Sequence, residues 1–564
     1  MPLSSQQQRR ARTRRLWIAG GLMAAGWVIV GTWACPGPPA RSRAWRNADN
    51  PPAVAEILAT KAPPPQREAD SPAASSASLR VWLAADPVTF DPLRRPTVAT
   101  GRVVMGTIFE PLLRFAPVAS GCGGRYQPVL ATAWHIAAGG RLVTFDLRAG
   151  PRFHDGTPVT AADVAFSVDR ARGPGAPPAL RRILASIERV TATADPPGLK
   201  IWLKRTDGGV LRGLAEVPIM PAHAYGGSAP KTAVGSGPYR MMTWDGHLAH
   251  LVRQPGYWGK KPSFAAIDFV YEPDAARAMV LARTGQLDII PALIAAHYPG
   301  QQTAPRVASR FSPLALSPAT VRYLLPNTAA APLSDARVRM AVALLVPREA
   351  IAEVFGRAGW RPMATLAWPG GPLCGDGHGG ISQDPARAAA LLDAAGFGDD
   401  DGDGRRYRGT TRLRVTLVAA GKKPSAAVKA IADSLERAGF QVDVVAGQPA
   451  VIANRLADGR FDLAVLEWPA LEAQGLGAAL RRGGPLSYGR FSGPEVMAAV
   501  HAMERAWEPA ARARLAPVLA QKLITAAAVI PIAAASPHGL VSRRLDGIAV
   551  SDGWIDLAAL SLAE

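Results

Sequence analysis

The sequence is short of the residues from which active sites are most often assembled. Only three cysteines occur in 564 residues, at positions 35, 122 and 374. None belongs to a Cys-x-x-Cys pair, so redox catalysis and a cysteine-based zinc site find no support. A bridge between Cys122 and Cys374 is allowed in an oxidising compartment, but sequence does not pair them. The nine histidines show no metal-ligand spacing. His247 and His250 stand three apart, with neither an acid nor a cysteine between them. No Gly-rich loop ending in Lys-Ser/Thr is present, which removes the P-loop mode of phosphate binding. Gly235-Ser236-Gly237 is not a nucleophile elbow, because Val234 and Pro238 stand where that motif requires glycine. There is no repeat of solenoid period.

Acids are also scarce. Lys and Arg number 64 against 44 Asp and Glu, a net charge of +20. The excess is mostly arginine and is scattered along the chain. A nucleic-acid protein tends to cluster basic residues and interleave aromatics, so the pattern reads as solvated surface. The first fifteen residues carry five arginines and no acid, and Leu16 to Ala34 carries no charge at all. A basic stretch before an apolar run is an export signal. The run almost spans a bilayer, so an uncleaved anchor is the alternative. Arg14-Arg15-Leu16-Trp17-Ile18 resembles a twin-arginine signal, and Cys35 at the border is a candidate for lipidation. All these readings place the bulk of the chain outside the cytoplasm.

What is present points to a large globular α/β chain. Hydrophobic residues make up 48% and charged ones 19%, enough for a sizeable core in two or three units. Residues 36–77 are rich in Pro, Ala, Ser and Arg and lack apolar periodicity, so they read as a tether. Ordered structure is expected from Ser78. Leu79 to Pro92 reads as a buried strand ended by a turn. In Arg141 to Gly150, Val143, Phe145 and Leu147 alternate with polar residues, which predicts a half-buried antiparallel strand.

His154-Asp155-Gly156 raises the question of an acid/base dyad. Asp-Gly is turn chemistry. Thr160 then caps a helix, with Asp163 near its positive end as a variant of the capping box. Ala161, Val164, Ala165, Val168 and Ala171 follow at helical spacing, so one face is buried. The turn reading is therefore favoured over a catalytic base. Downstream, Ser334 is expected to cap a helix bearing Val338, Ala341, Val342 and Leu345. Asp384 with Pro385 starts another, which Gly396 ends. Strand–helix alternation through Leu413–Ala420, Phe440–Ala446 and Phe461–Trp468 predicts a mostly parallel sheet covered on both faces. Asp399-x-Asp401-x-Asp403-Gly404 matches the first half of a calcium loop. Thr410 replaces the bidentate Glu at its twelfth position, which favours a polar hairpin turn.

Several separated segments resemble one family. Tyr126 to Arg172, Val234 to Met241 (VGSGPYRM), Gly256-Tyr257-Trp258, YLLPNT, DARVRMAVA, DPARAAALLDAAGFGDDDGDG and VIPI are similar, in order, to the family 5 extracellular solute-binding proteins of peptide/nickel-type ABC importers. The resemblance covers Ser78 to the C-terminus. It implies an α/β fold of the type II periplasmic-binding-protein kind, with two lobes, a ligand cleft and an extra subdomain in the discontinuous lobe. The expected division is 1–35 signal or anchor, 36–77 linker, 78–320 first lobe with the subdomain at about 111–230, 321–530 second lobe, and 531–564 return to the first. Crossings are expected near Arg310 to Thr328 and near Val529 to Ala535. The implied partners are a small solute such as an oligopeptide, a permease and ATPase complex, and the membrane through the N-terminal segment; no nucleic acid, cofactor or metal is implied. Thr89 and Phe90 match a family position lining the cleft, and Trp468 is placed to enclose ligand. Peptide-binding relatives use an acid shortly after that Trp. Here Glu472 stands nearby and no Asp occupies the expected place. The alternatives are an exported hydrolase using His154 or another histidine, and a binding-protein fold reused as an interaction module.

Overall fold

The computed structural model describes residues 78–563, apart from 95–97, 118–123, 196, 228–229, 231, 292, 294–299, 316–319, 356–359, 367–379, 400–401, 470–486, 536–537 and 552–553. The apolar 16–34 run, Cys35, Cys122, Cys374 and Glu472 lie outside the described residues. Among the described residues, no helix is long and apolar enough to cross a membrane.

Two large sheets organise the chain. The first has seven strands, in the order Phe311–Ala315, His538–Ser542, Ile289–Ile290, Ser78–Leu83, Ala266–Tyr271, Leu248–Arg253 and Tyr239–Trp244. Ser78–Leu83 sits in its middle, parallel to Ala266–Tyr271 and to Ile289–Ile290. It is apolar on both sides, with Leu79, Val81, Trp82 and Leu83 all buried, as a central strand must be. The second sheet has six strands, in the order Trp360–Pro362, Ile530–Ala535, Thr320–Pro326, Leu463–Pro469, Arg414–Ala420 and Gln441–Gly447. Here the expectation of a mostly parallel sheet holds for half of it. Arg414–Ala420 pairs parallel with both neighbours, but Thr320–Pro326 and Ile530–Ala535 run antiparallel. The strand–helix alternation covers only the parallel half, and the other strands arrive from distant sequence.

A four-stranded antiparallel sheet, in the order Ala131–Ala137, Leu142–Leu147, Pro197–Leu203 and Ile187–Ala194, forms a subdomain on the first lobe. Val143 and Phe145 are buried on its inner face. The helix Ala161–Arg172 packs on this sheet and starts in a full capping box. Thr160 Oγ1 accepts the Asp163 amide at 3.3 Å, and Asp163 Oδ2 accepts the Thr160 amide at 3.0 Å. Such a cap stabilises by about 1 kcal/mol. Asp163 Oδ1 also accepts the Ala222 amide at 2.8 Å, which ties the helix to the next segment.

In the second lobe, Asp384 caps Pro385–Ala394, as its sequence foretold. The helix expected after Ser334 is capped one residue later. Asp335 accepts the Arg337 amide at 2.8 Å and the helix runs Ala336–Leu345. Ser and Asp are both good capping residues, and the carboxylate takes the role. Behind this helix the guanidinium of Arg348 is buried and held by backbone carbonyls. Its Nε donates to the carbonyls of Met363 and Pro531, each at 2.9 Å, and Nη1 donates to Ala343 at 3.1 Å.

The chain passes from the first sheet to the second between Ala315 and Thr320, and returns between Ala535 and His538. The registers place Leu83, Tyr271, Trp244 and Leu248 on the edge of the first sheet from which Ala315 departs. They place Trp360, Trp468, Ala420 and Gly447 on the edge of the second sheet where Thr320 enters. The two edges joined by the crossings are where a guest between the lobes would sit.

Candidate functional site

The turn that follows Ser78–Leu83 carries Val88, Thr89 and Phe90 onto the crossing edge. It is held from behind. The Thr89 amide and Thr100 Oγ1 both donate to the Pro87 carbonyl. Asp91 is buried, with Oδ1 accepting the Leu93 and Arg94 amides and Oδ2 accepting Arg170 Nη2 at 2.6 Å. The hairpin strand Tyr239–Trp244 brings a second wall. Together these segments enclose a cavity of about 500 Å³, lined by Val88, Thr89, Phe90 and Asp91 on one side and Met241, Met242, Thr243 and Trp244 on the other, with Pro230 and Thr232 at its margin. That volume lies within the usual range of small-molecule sites. Phe90 meets Trp244 edge to face, with centroids 5.7 Å apart and planes at 79°, a favoured aromatic geometry.

Two local irregularities shape this cavity. Val88 has φ of +56°, a left-handed conformation that a β-branched residue adopts only under strain, and it is 74% exposed. Opposite it, the register between the hairpin strands slips between Met241 and Thr243. Met242 is the extra residue of this β-bulge. Met241 is buried, whereas Met242 is 49% exposed. Bulges of this kind re-aim a side chain beside functional sites.

On the facing edge of the second sheet, Arg322 pairs with Glu467, its Nε lying 2.6 Å from Oε1, and its guanidinium stacks 4.4 Å from the Trp360 ring centre. Burial pushes the Arg322 guanidinium down to about 10. Trp468 lies on this edge, its backbone opposite Val321. The two lobes also touch away from the crossings. The Gly208 amide donates to the Glu504 carbonyl at 2.6 Å, and Arg205 lies 3.4 Å from the buried Glu504 carboxylate.

Of the residues singled out from sequence, Thr89 and Phe90 come together on the cavity wall. Trp468 is on the opposite sheet edge, and Glu472 and Cys35 lie outside the described residues. Sequence reading missed Val88, Met241, Met242 and Trp244. The available signal was an interrupted alternation in YRMMTW, where two methionines occupy successive positions that a regular strand sends to opposite faces.

The His154-Asp155 pair is architecture. His154 Nδ1 accepts the Gly235 amide at 3.3 Å and Nε2 donates to the Gly237 carbonyl at 3.0 Å. Burial is the main cause that pushes its pKa down to about 4, so the ring is neutral at neutral pH. Asp155 accepts the Thr157 amide and hydroxyl, and sits 2.7 Å from His223 Nε2. Burial raises its carboxyl, but these bonds outweigh burial and hold it below the usual range. Gly235 and Gly237 let the backbone approach the 107–109 segment. A Cβ on either would meet the Ile108 or Thr107 carbonyl oxygen within 2.3 Å. Beside them the buried Glu110 carboxylate accepts Ser236 Oγ at 2.9 Å, Tyr257 OH at 2.6 Å and Trp258 Nε1 at 3.0 Å. Glycine loop, Tyr-Trp pair and His-Asp-Gly turn therefore meet in one framework. The Asp399 and Asp403 carboxylates accept the Gly404 and Arg405 amides and close a turn.

The profile described as bacterial extracellular solute-binding proteins, family 5 Middle, matches residues 125–475, more than half of the chain. The chain belongs to this family. Among curated relatives, protein XP55 of Streptomyces lividans is 27% identical over 67% of this chain and 68% of its own length. The glutathione-binding protein GsiB of Escherichia coli O1:K1 / APEC is 30% identical over 48% of this chain. The match spans about half of GsiB, 54% of its length. The unliganded open form of MppA, a periplasmic murein tripeptide binding protein, superposes with a TM-score of 0.71 at 21% identity, over 90% of this chain and 99% of that one. The fold is thus the mixed α/β, two-lobed fold of the type II periplasmic binding proteins.

Proposed function

We propose that this protein is the extracytoplasmic receptor of an ABC importer. It captures a peptide or similar small solute between its lobes and presents the closed form to a permease and its ATPase. Residues 78–315 with 538–564 form one jaw and 320–535 the other, so the second crossing lies a few residues beyond the 530/531 boundary expected from sequence, and the N-terminal segment exports the chain or holds it at the membrane. The observation that carries the reading is the cavity on the crossing edge of the first sheet, opposite the Trp360 and Trp468 edge of the second. The two crossings provide the hinge about which such lobes close. Thr89, Phe90, Trp468 and Glu472 are the proposed contacts. The names of GsiB and MppA, which bind a glutathione and a murein tripeptide, favour a short peptide as the solute. The hydrolase alternative loses His154 as its base, because both ring nitrogens of that residue are engaged by backbone.

Native mass spectrometry of the freshly purified chain tests the proposal, with thermal unfolding in the presence of a short-peptide library. The expected result is a co-purified small solute and peptides that raise the unfolding temperature and are recovered intact. A ligand at one hundred times its Kd stabilises by about 2.7 kcal/mol. Peptides recovered cleaved, or none bound, would overturn it.

A further inference from the structure

We infer that Arg170 is a positioning residue of the solute site: acting through Asp91, it fixes the turn that presents Val88, Thr89 and Phe90. This deepens the peptide-capture reading above and rests on it. Asp91 belongs to the cavity wall, yet its side chain is only 1% exposed. The carboxylate is turned into the protein, where Oδ1 accepts the Leu93 and Arg94 amides and Oδ2 accepts Arg170 Nη2 at 2.6 Å. A charge-assisted bond of this length is among the stronger ones a protein makes. Asp86 Oδ1 accepts the Val88 amide and Thr89 Oγ1 accepts the Asp91 amide, but these bonds shape the turn from within and do not fasten it to the lobe. The fastening is at its ends. Thr100 holds Pro87, and Arg170 holds Asp91.

Arg170 is itself held firmly. It stands in the last turn of Ala161–Arg172, the helix seated on the four-stranded subdomain sheet. That helix is tied to the 220–222 segment twice, through Asp163 Oδ1 to the Ala222 amide and through Ser167 Oγ to the Met220 amide, each at 2.8 Å. The guanidinium of Arg170 lies 3.7 Å from Met220 Sδ and 5.5 Å from the centre of the Tyr225 ring. The left-handed Val88 is strained, and a strained residue persists only where its surroundings over-determine it. Without Arg170 the Asp91 carboxylate would stay buried and lose its cation, which drives it toward water and carries the turn with it. Arg170 lies outside the cavity wall. Through it the subdomain contributes to solute binding by holding the wall in place.

The test uses the full chain in lipid nanodiscs, which accommodate its apolar 16–34 run, and combines two readouts. Without added solute, hydrogen exchange followed by mass spectrometry compares the wild type with Arg170→Met. Exchange is expected to rise in 84–94 while the subdomain strand Leu142–Leu147 stays protected. A pool of Ala-X-Ala tripeptides then identifies the best-retained sequence, and its Kd is measured. Arg170→Met is expected to weaken binding about tenfold or more, and Arg170→Lys, which keeps the charge without the planar fork, to weaken it less. Asp91→Asn is expected to weaken binding alone but to add nothing to Arg170→Met, because the two side chains act as one unit. Unchanged exchange in 84–94, faster exchange spread equally over the subdomain strand, an unchanged Kd, or losses that add in the double variant would each overturn the inference and leave peptide capture standing. A wild-type chain that retains no tripeptide would overturn peptide capture itself, and the positioning role with it.

Discussion

Glu110 offers the sharpest test of how the first lobe is held together. Its carboxylate is buried and receives three donors, Ser236 Oγ, Tyr257 OH and Trp258 Nε1. Burial pushes its pKa up, and the three bonds only partly pull it back. Consider two replacements. Glu110→Ala leaves three buried donors without an acceptor, at about 1–2 kcal/mol each, so a loss of roughly 3–5 kcal/mol is expected. For a lobe of this size that lowers the unfolding temperature by about 10 °C. Glu110→Gln keeps an acceptor oxygen for Trp258 and Ser236, both of which now bond Oε2. Its amide can donate to Tyr257, whose hydroxyl accepts as readily as it donates. The variant also removes the cost of a buried charge, so at pH 7 it is expected to match or exceed the wild type. The pH dependence separates them further. The folded-state pKa lies above the unfolded one. As pH rises from about 4.3 through the folded value, the folded chain keeps a proton that the unfolded chain has released, and stability falls. The wild type should therefore lose stability relative to Glu110→Gln across that interval. Urea unfolding of both variants from pH 4 to pH 8 measures this. Equal losses for Ala and Gln, or a Gln variant more than about 2 kcal/mol below the wild type, would refute the reasoning.

Other expectations follow from the same geometry. His154 should show no ring titration by NMR above pH 5, because its folded value is about 4. Protonation then favours the unfolded chain, so between about pH 6.5 and pH 4 it should contribute a loss of up to about 3 kcal/mol as pH falls. Gly237→Ala places a Cβ 2.3 Å from the Thr107 carbonyl oxygen and should lower the unfolding temperature far more than Gly175→Ala, whose Cβ meets open space. Arg348→Lys keeps the charge but cannot reach three carbonyls at once. It should cost roughly 2–4 kcal/mol in denaturant unfolding, against little change for exposed Arg437→Lys. Gly208→Ala puts a Cβ 2.3 Å from the Ala506 carbonyl oxygen across the lobe contact and should enlarge the radius of gyration measured by X-ray scattering.

Local chemistry was the most legible part of this chain. Thr160 with Asp163, and Asp384 with Pro385, announce helix starts because a cap needs only residues within one turn. The exception is instructive. Ser334 and Asp335 are adjacent capping types, and only the positions of the backbone amides decide between them. The antiparallel half of the second sheet was hidden because Thr320–Pro326 finds its partners some 140 and 200 residues further along. Thr89 and Phe90 entered through family likeness. Val88 and Met242 did not, since a left-handed valine and a strand bulge are imposed by surrounding structure and contradict local preference.

The placement of His538–Ser542 has a consequence for how this protein is made. That strand lies inside the seven-stranded sheet, between Phe311–Ala315 and Ile289–Ile290. Both neighbours are synthesised long before it. The second sheet draws every strand from the uninterrupted run 320–535 and can close while translation is still under way. The first must wait with two raw edges, each a template for pairing with the wrong chain. A chain that ends between positions 535 and 538 would therefore be a finished half joined to a sticky one, and His538–Ser542, the last strand of the first sheet in chain order, is the keystone of the first sheet to begin.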